Sequence, residues 1–168
     1  ASALLVREPT RAADHLDPPT RTDTSMTMSA DRAADIADLF AWHTDTSVII
    51  ALTFAGPQPT AQAATYDRDV LYTINIANGS DKTVPTIPIH VRFGPGSGAN
   101  QWGVQVSGLP GVTGDIVGPV ETNLSQNGVM VRAGLFDDPF FFDLLGFRTT
   151  LSSGTLSFDK NRDFFAGQ

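Results

Sequence analysis

The sequence predicts an all-β protein with short helical turns, arranged as an antiparallel β-sandwich or jelly-roll-like fold. Three observations carry that prediction. Several short segments alternate apolar and polar residues with the two-residue period of a strand, and one run, "SVIIALTF" at 47–54, is continuously apolar over strand length. Fifteen glycines and eleven prolines punctuate the chain between such segments. A length of 168 residues suffices for one domain with a core. The expected organisation is an extended arm over 1–30 and a single β-sandwich domain over 31–168.

Residues 1–30 are rich in Pro, Thr, Asp and Arg and show no period, which defines the arm. In "SADRAADIADLFAW", Ser29 is placed to cap a short turn, and Ile36, Leu39 and Phe40 fall at helical spacing, although "DLFAWH" equally suits the start of a strand. The run at 47–54 reads as a buried strand closed by the Gly56-Pro57 breaker. In "DVLYTINIANGSD", Val70, Tyr72, Ile74 and Ile76 share one face, and "NGSD" turns the chain. "TIPIHVRF" sets Ile87, Ile89, Val91 and Phe93 against Pro88, His90 and Arg92, so it reads as the hairpin partner, with Pro88 favouring a sheet edge or bulge. "QWGVQVSG", "NGVMVRAG" and "GTLSFD" complete the expected strands.

Charge and composition exclude several functions. Eleven Lys and Arg against eighteen Asp and Glu leave a formal net charge of -7, so no basic surface is offered to a nucleic-acid backbone. The chain contains no cysteine, which removes disulfides, zinc-thiolate centres, iron–sulfur clusters and thiol nucleophiles. No run reaches the roughly 18 apolar residues of a membrane span. The short apolar run at 3–6, followed by small residues within 11–13, reads either as the tail of an export signal or as an arm of the mature protein, and the protein is expected to be exported to the periplasm, cell surface or medium.

Carboxylates cluster around His15 (Asp14, Asp17), at Asp31, Asp35 and Asp38, at Asp67 and Asp69, and at Asp137, Asp138 and Asp143. Hard cations take six to eight oxygen ligands, roughly what clustered loop aspartates supply, so calcium is the expected ion if one is bound. His15, Asp17, Asp35, Asp38, Asp69, Asp137, Asp138 and Asp143 are the candidate ligands. The competing explanation is capping, in which short carboxylates accept from free backbone N–H groups. The spacing of His15, His43 and His90 gives no local transition-metal site, and the chain has no G-x-S-x-G, P-loop or dinucleotide-binding pattern. In "DDPFFFDLLGF" at 137–147, Asp137 or Asp138 is expected to cap a helical turn with Pro139 at its first position. Phe140, Phe141, Leu144 and Leu145 then form a buried stripe and Gly146 ends the turn.

The blocks "ADHLDPP", "ADRAADIADLFAW", "YDRDVLYTINIAN", "RAGLFDDPFFFDLLGF" and "NRDFFAGQ" together resemble, over residues 13–168, the bacterial and mostly exported domain-of-unknown-function family 4331. That resemblance implies an exported β-rich protein and no particular reaction. The positions matching its motifs are His15, Asp35, Asp38, Asp69, Arg132, Asp137, Asp138 and Asp143, with Arg132 the expected neutralising partner for the carboxylates where no metal is bound. The family's pattern continues past "DFFAGQ" into a further strand, so a sheet edge is expected to be filled by strand addition, the run at 3–6 being the part of the arm suited to it. The function expected is that of a non-enzymatic structural or assembly subunit with protein partners. The alternative is a metal-dependent enzyme or a carbohydrate-binding module using the clustered aspartates.

Overall fold

The computed structural model describes residues 18–21, 29–59, 61–98, 101–137, 140–164 and 166. His15, Asp17 and Asp138 lie outside the described residues, as do Pro139 and the run at 3–6. Among the described residues the protein is mostly β, with eight strands in antiparallel sheets and one short α-helix. Contacts divide it into two compact units, Ala1–Gln58 and Pro59–Gln168. The boundary falls just beyond the Gly56-Pro57 breaker.

In the first unit, Arg21 N donates to Ser29 O and Asp31 N to Pro19 O, bringing 18–21 against 29–31. A single 3-10 turn, Arg32–Ala34, leads into β1 (Ile36–His43), which pairs antiparallel with β2 (Val48–Phe54). The strand alternative for "DLFAWH" therefore prevails over the helical one: β1 gains a ladder from β2, whose β-branched Val48, Ile49, Ile50 and Thr53 favour a strand. The register slips between Ile36 and Leu39, so two residues of β1 face Thr53 alone. Thr53 repairs this bulge, since its hydroxyl accepts from Asp38 N at 2.9 Å. The hairpin closes through Thr44, whose N–H donates to Ser47 O and whose hydroxyl accepts from Ser47 N.

The second unit is built on an up-and-down sheet of β3 (Leu71–Ile76), β4 (Ile87–Pro95), β5 (Trp102–Ser107) and β6 (Ile116–Pro119), in that order. Tyr72, Ile89, Phe93, Val104, Val106 and Ile116 share one buried face, which for Tyr72, Ile89 and Phe93 is the face set out by the alternation in the sequence. Phe93 is its centre, stacked on Tyr66 at 4.5 Å and meeting the edge of Tyr72 at 6.0 Å. β4 is a central strand, not an edge. Pro88 is tolerated there because the ladder with β5 begins only at His90, leaving Pro88 flanked by β3 alone.

Burial, followed by the Glu121 carboxylate, pushes the Tyr66 hydroxyl up to about 12. The unfolded chain ionises near the ordinary value of 10.0, so the stability tied to neutral Tyr66 is present below that pH and is lost as pH rises towards about 12. Tyrosinate absorbance and far-ultraviolet circular dichroism should therefore change together in this window. Separate transitions would contradict the burial of Tyr66.

β7 (Leu124–Gln126) and β8 (Val129–Val131) form a further hairpin, turned by Asn127 and Gly128 at φ 52° and 81°. This is the positive-φ pair that an Asn-Gly turn supplies at least cost. Neither β6 nor β7 stands out in the sequence, whereas the strand expected at 154–159 does not form. There Ser157 N and Asp159 N donate to Thr150 Oγ1 and Asp143 Oδ2, so side chains take the places of ladder partners. The helix α1 spans Leu144–Ser153 with Asp143 as N-cap and ends at Gly154 in the left-handed conformation. It thus starts later than the turn predicted from Asp137 or Asp138, and Gly146 lies inside it. A side chain at 146 would collide with Asp143 and approach Ser157 O to 2.7 Å, which explains a helical glycine there. The phenylalanine stripe is also corrected: Phe140 and Leu144 are half-buried, while Phe141 and Leu145 are exposed.

Candidate functional site

The described aspartates among the candidate ligands divide between the units. Asp35 is buried behind the 3-10 turn, where its carbonyl accepts from Ala55 N, and Asp38 sits at the bulge of β1. Asp69 lies in an exposed turn, where its N–H donates to Asp67 Oδ1 and Arg68 Nε stands 3.4 Å from its carboxylate. Asp137 is exposed. Among the described residues, no three His, Asp or Glu side chains gather into a group that could hold a metal.

Asp143 has a full set of partners. Its Oδ1 accepts from Gly146 N at 2.8 Å, and its Oδ2 accepts from Asp159 N at 2.7 Å and from Arg162 at 2.8 Å. Burial alone would raise its pKa, but these backbone donors and the guanidinium together hold the carboxyl below its usual range. The residue that capping at Asp137 or Asp138 leaves unexplained is therefore the cap itself. Arg132, expected to neutralise the aspartates, instead reaches Glu121 Oε2 at 3.3 Å and lies 5.6 Å from the Phe136 ring centroid. Arg162 takes the role expected of Arg132. Nineteen positions separate it from Asp143, so local spacing could not have revealed the pair.

Among the described residues, two surfaces stand out for their exposed side chains. One is the β1–β2 hairpin. Its register puts Ile36, Leu39, Ala41 and His43 on one face with Val48, Ile50, Leu52 and Phe54. Ile36, Leu39 and Val48 are 51%, 56% and 75% exposed, and Trp42 stands exposed on the opposite face. The other surface is the polar side of the four-stranded sheet, where Leu71, His90, Arg92, Gln105 and Ser107 line an open depression of about 380 Å³. Thr73 Oγ1 and His90 Nδ1 hydrogen-bond across β3 and β4 at 3.0 Å, and Gln105 donates its amide to Asp115. Sequence reasoning placed His90 and Arg92 on the polar side of their strand, but the residues meeting them from β3 and β5 follow only from register. The chain matches no protein-family model, no curated protein and no solved structure.

Proposed function

We propose that the protein is a non-enzymatic structural or assembly subunit that joins a second copy of itself through the β1–β2 hairpin. The observation that carries this reading is the exposure of Ile36, Leu39 and Val48 together on one face of a two-stranded sheet. A hairpin alone is marginal in water, and each of its strands has an outer edge with no ladder partner among the described residues. Strand addition by another hairpin supplies hydrogen bonds to that edge and covers the apolar side chains in one step. A sandwich or jelly-roll-like arrangement, export, kinship with family 4331 and a structural calcium ion belong to the same reading. The calcium is tested by elemental analysis of protein purified with and without chelator.

Light scattering across a dilution series tests the assembly. The full chain should show a mass above that of one copy, falling on dilution. The double variant Leu39→Glu with Val48→Lys should dissociate at a concentration at least about ten-fold higher. Both positions are more than half exposed, so the change should leave the fold intact by circular dichroism. A single-copy mass at every concentration would end this reading.

A further inference from the structure

We infer that the polar face of the four-stranded sheet binds a small hydroxylated carboxylate, with Arg92 receiving the carboxylate group. The strand register sets out the site. Leu71, Arg92, Gln105 and Val117 form one row across β3, β4, β5 and β6, and Thr73, His90 and Ser107 form the next. Neighbouring strands lie about 4.8 Å apart and rows about 7 Å apart, so a ligand a few atoms across spans both rows. The depression of about 380 Å³ is within the range, roughly 300–1,000 Å³, of small-molecule sites.

The charge pattern points to an anion. Arg21, Arg68, Arg132 and Arg162 each face a carboxylate, and Arg32 donates to a backbone carbonyl. Arg92 and Arg148 have no partner among the described residues, although the chain carries an excess of acid, -7 overall, and of the two Arg92 lines the depression. Asp115, the acidic group at this face, accepts from the Gln105 amide and forms no ion pair with Arg92. The guanidinium is thus left with its planar fork of donors towards solvent, a geometry that matches the two oxygens of a carboxylate. Around it stand Ser107, Gln105 and His90, which exchange hydrogen bonds with hydroxyls, and Leu71, which packs against carbon. No aromatic side chain lines the depression, so the stacking platform of a neutral-sugar site is missing among its lining residues.

Titration of the full chain with D-glucuronate, followed by backbone amide shifts, tests the inference, with D-glucose as the neutral control. Saturable shifts are expected at Leu71, Arg92, Gln105 and Ser107 with glucuronate and not with glucose. Arg92→Gln should weaken binding at least about ten-fold, and Arg92→Lys should weaken it less, since a lysine keeps the charge without the fork. Arg92 is exposed and unpaired, so neither variant should alter the fold. No shift at about 10 mM glucuronate, equal binding of glucose, or wild-type affinity in Arg92→Gln would each overturn it.

Discussion

Replacing Phe93 by alanine is expected to lower the unfolding free energy by about 3–5 kcal/mol, the largest stability loss expected of a single core truncation in the sheet. The ring is 4% exposed and lies between Tyr66 and Tyr72, stacked on one and against the edge of the other. Removing it costs the transfer free energy of the buried ring, the two aromatic contacts and a cavity. That cavity cannot easily collapse, because β4 is held by β3 on one side and β5 on the other. Phe93→Leu keeps most of the volume and should cost much less, about 1–1.5 kcal/mol. Denaturant unfolding with an unchanged slope would measure both. A loss under about 1 kcal/mol for the alanine variant would show that the sheet's buried face is not its stabilising core.

The contrast between this sheet and the rest of the chain shows which parts of the fold a sequence can reveal. β3, β4 and β5 each bury one face, so Tyr72, Ile89, Phe93, Val104 and Val106 recur at every second position and the period is visible. β1 and β2 carry apolar residues on both faces, which erases that period and leaves Ile36, Leu39 and Phe40 equally consistent with a helix. β6 is four residues long and includes Gly118 and Pro119, both poor strand formers. Only its pairing with β5 defines it.

The candidate sites divide in the same way. Clustering of aspartates is a property of the sequence, but whether a carboxylate caps, pairs or stands free depends on donors brought from elsewhere. Asp69 has its partners next to it, since its N–H donates to Asp67 Oδ1 and Arg68 Nε stands beside its carboxylate. Asp143 takes donors from 146, 159 and 162, and its role could not be read from "DDPFFFD". The depression around Arg92 is a product of register across three strands, for which single-strand alternation gives only the side and not the neighbours.

Asp143→Ala is expected to release α1 and the segment that follows it while leaving the sheet intact. The carboxylate satisfies the helix N-terminus through Gly146 N, fixes the returning chain through Asp159 N and neutralises Arg162, whose guanidinium also donates to Ser157 O. Phe164 N donates to Phe142 O, so the same loop is closed again beyond Arg162. Without the carboxylate, two backbone donors and a guanidinium lose their acceptor together. Amide exchange at Gly146, Phe147 and Gly154 should then accelerate at least about ten-fold, while Tyr72 and Val104 in the sheet keep their protection. Asp143→Asn retains an acceptor for Gly146 N and should fall between the two. Acid should reproduce the effect in the native protein. The folded pKa is lowered from 3.8, so the carboxylate's contribution is present above that pH and is lost as pH falls below it through the folded value. Exchange in 144–164 should therefore become more open below about pH 3.8 in the wild type and show no such added step in Asp143→Ala. Unchanged protection in Asp143→Ala at neutral pH would mean that the helix is held by its apolar contacts, Phe142 against Phe147 foremost, and not by its cap.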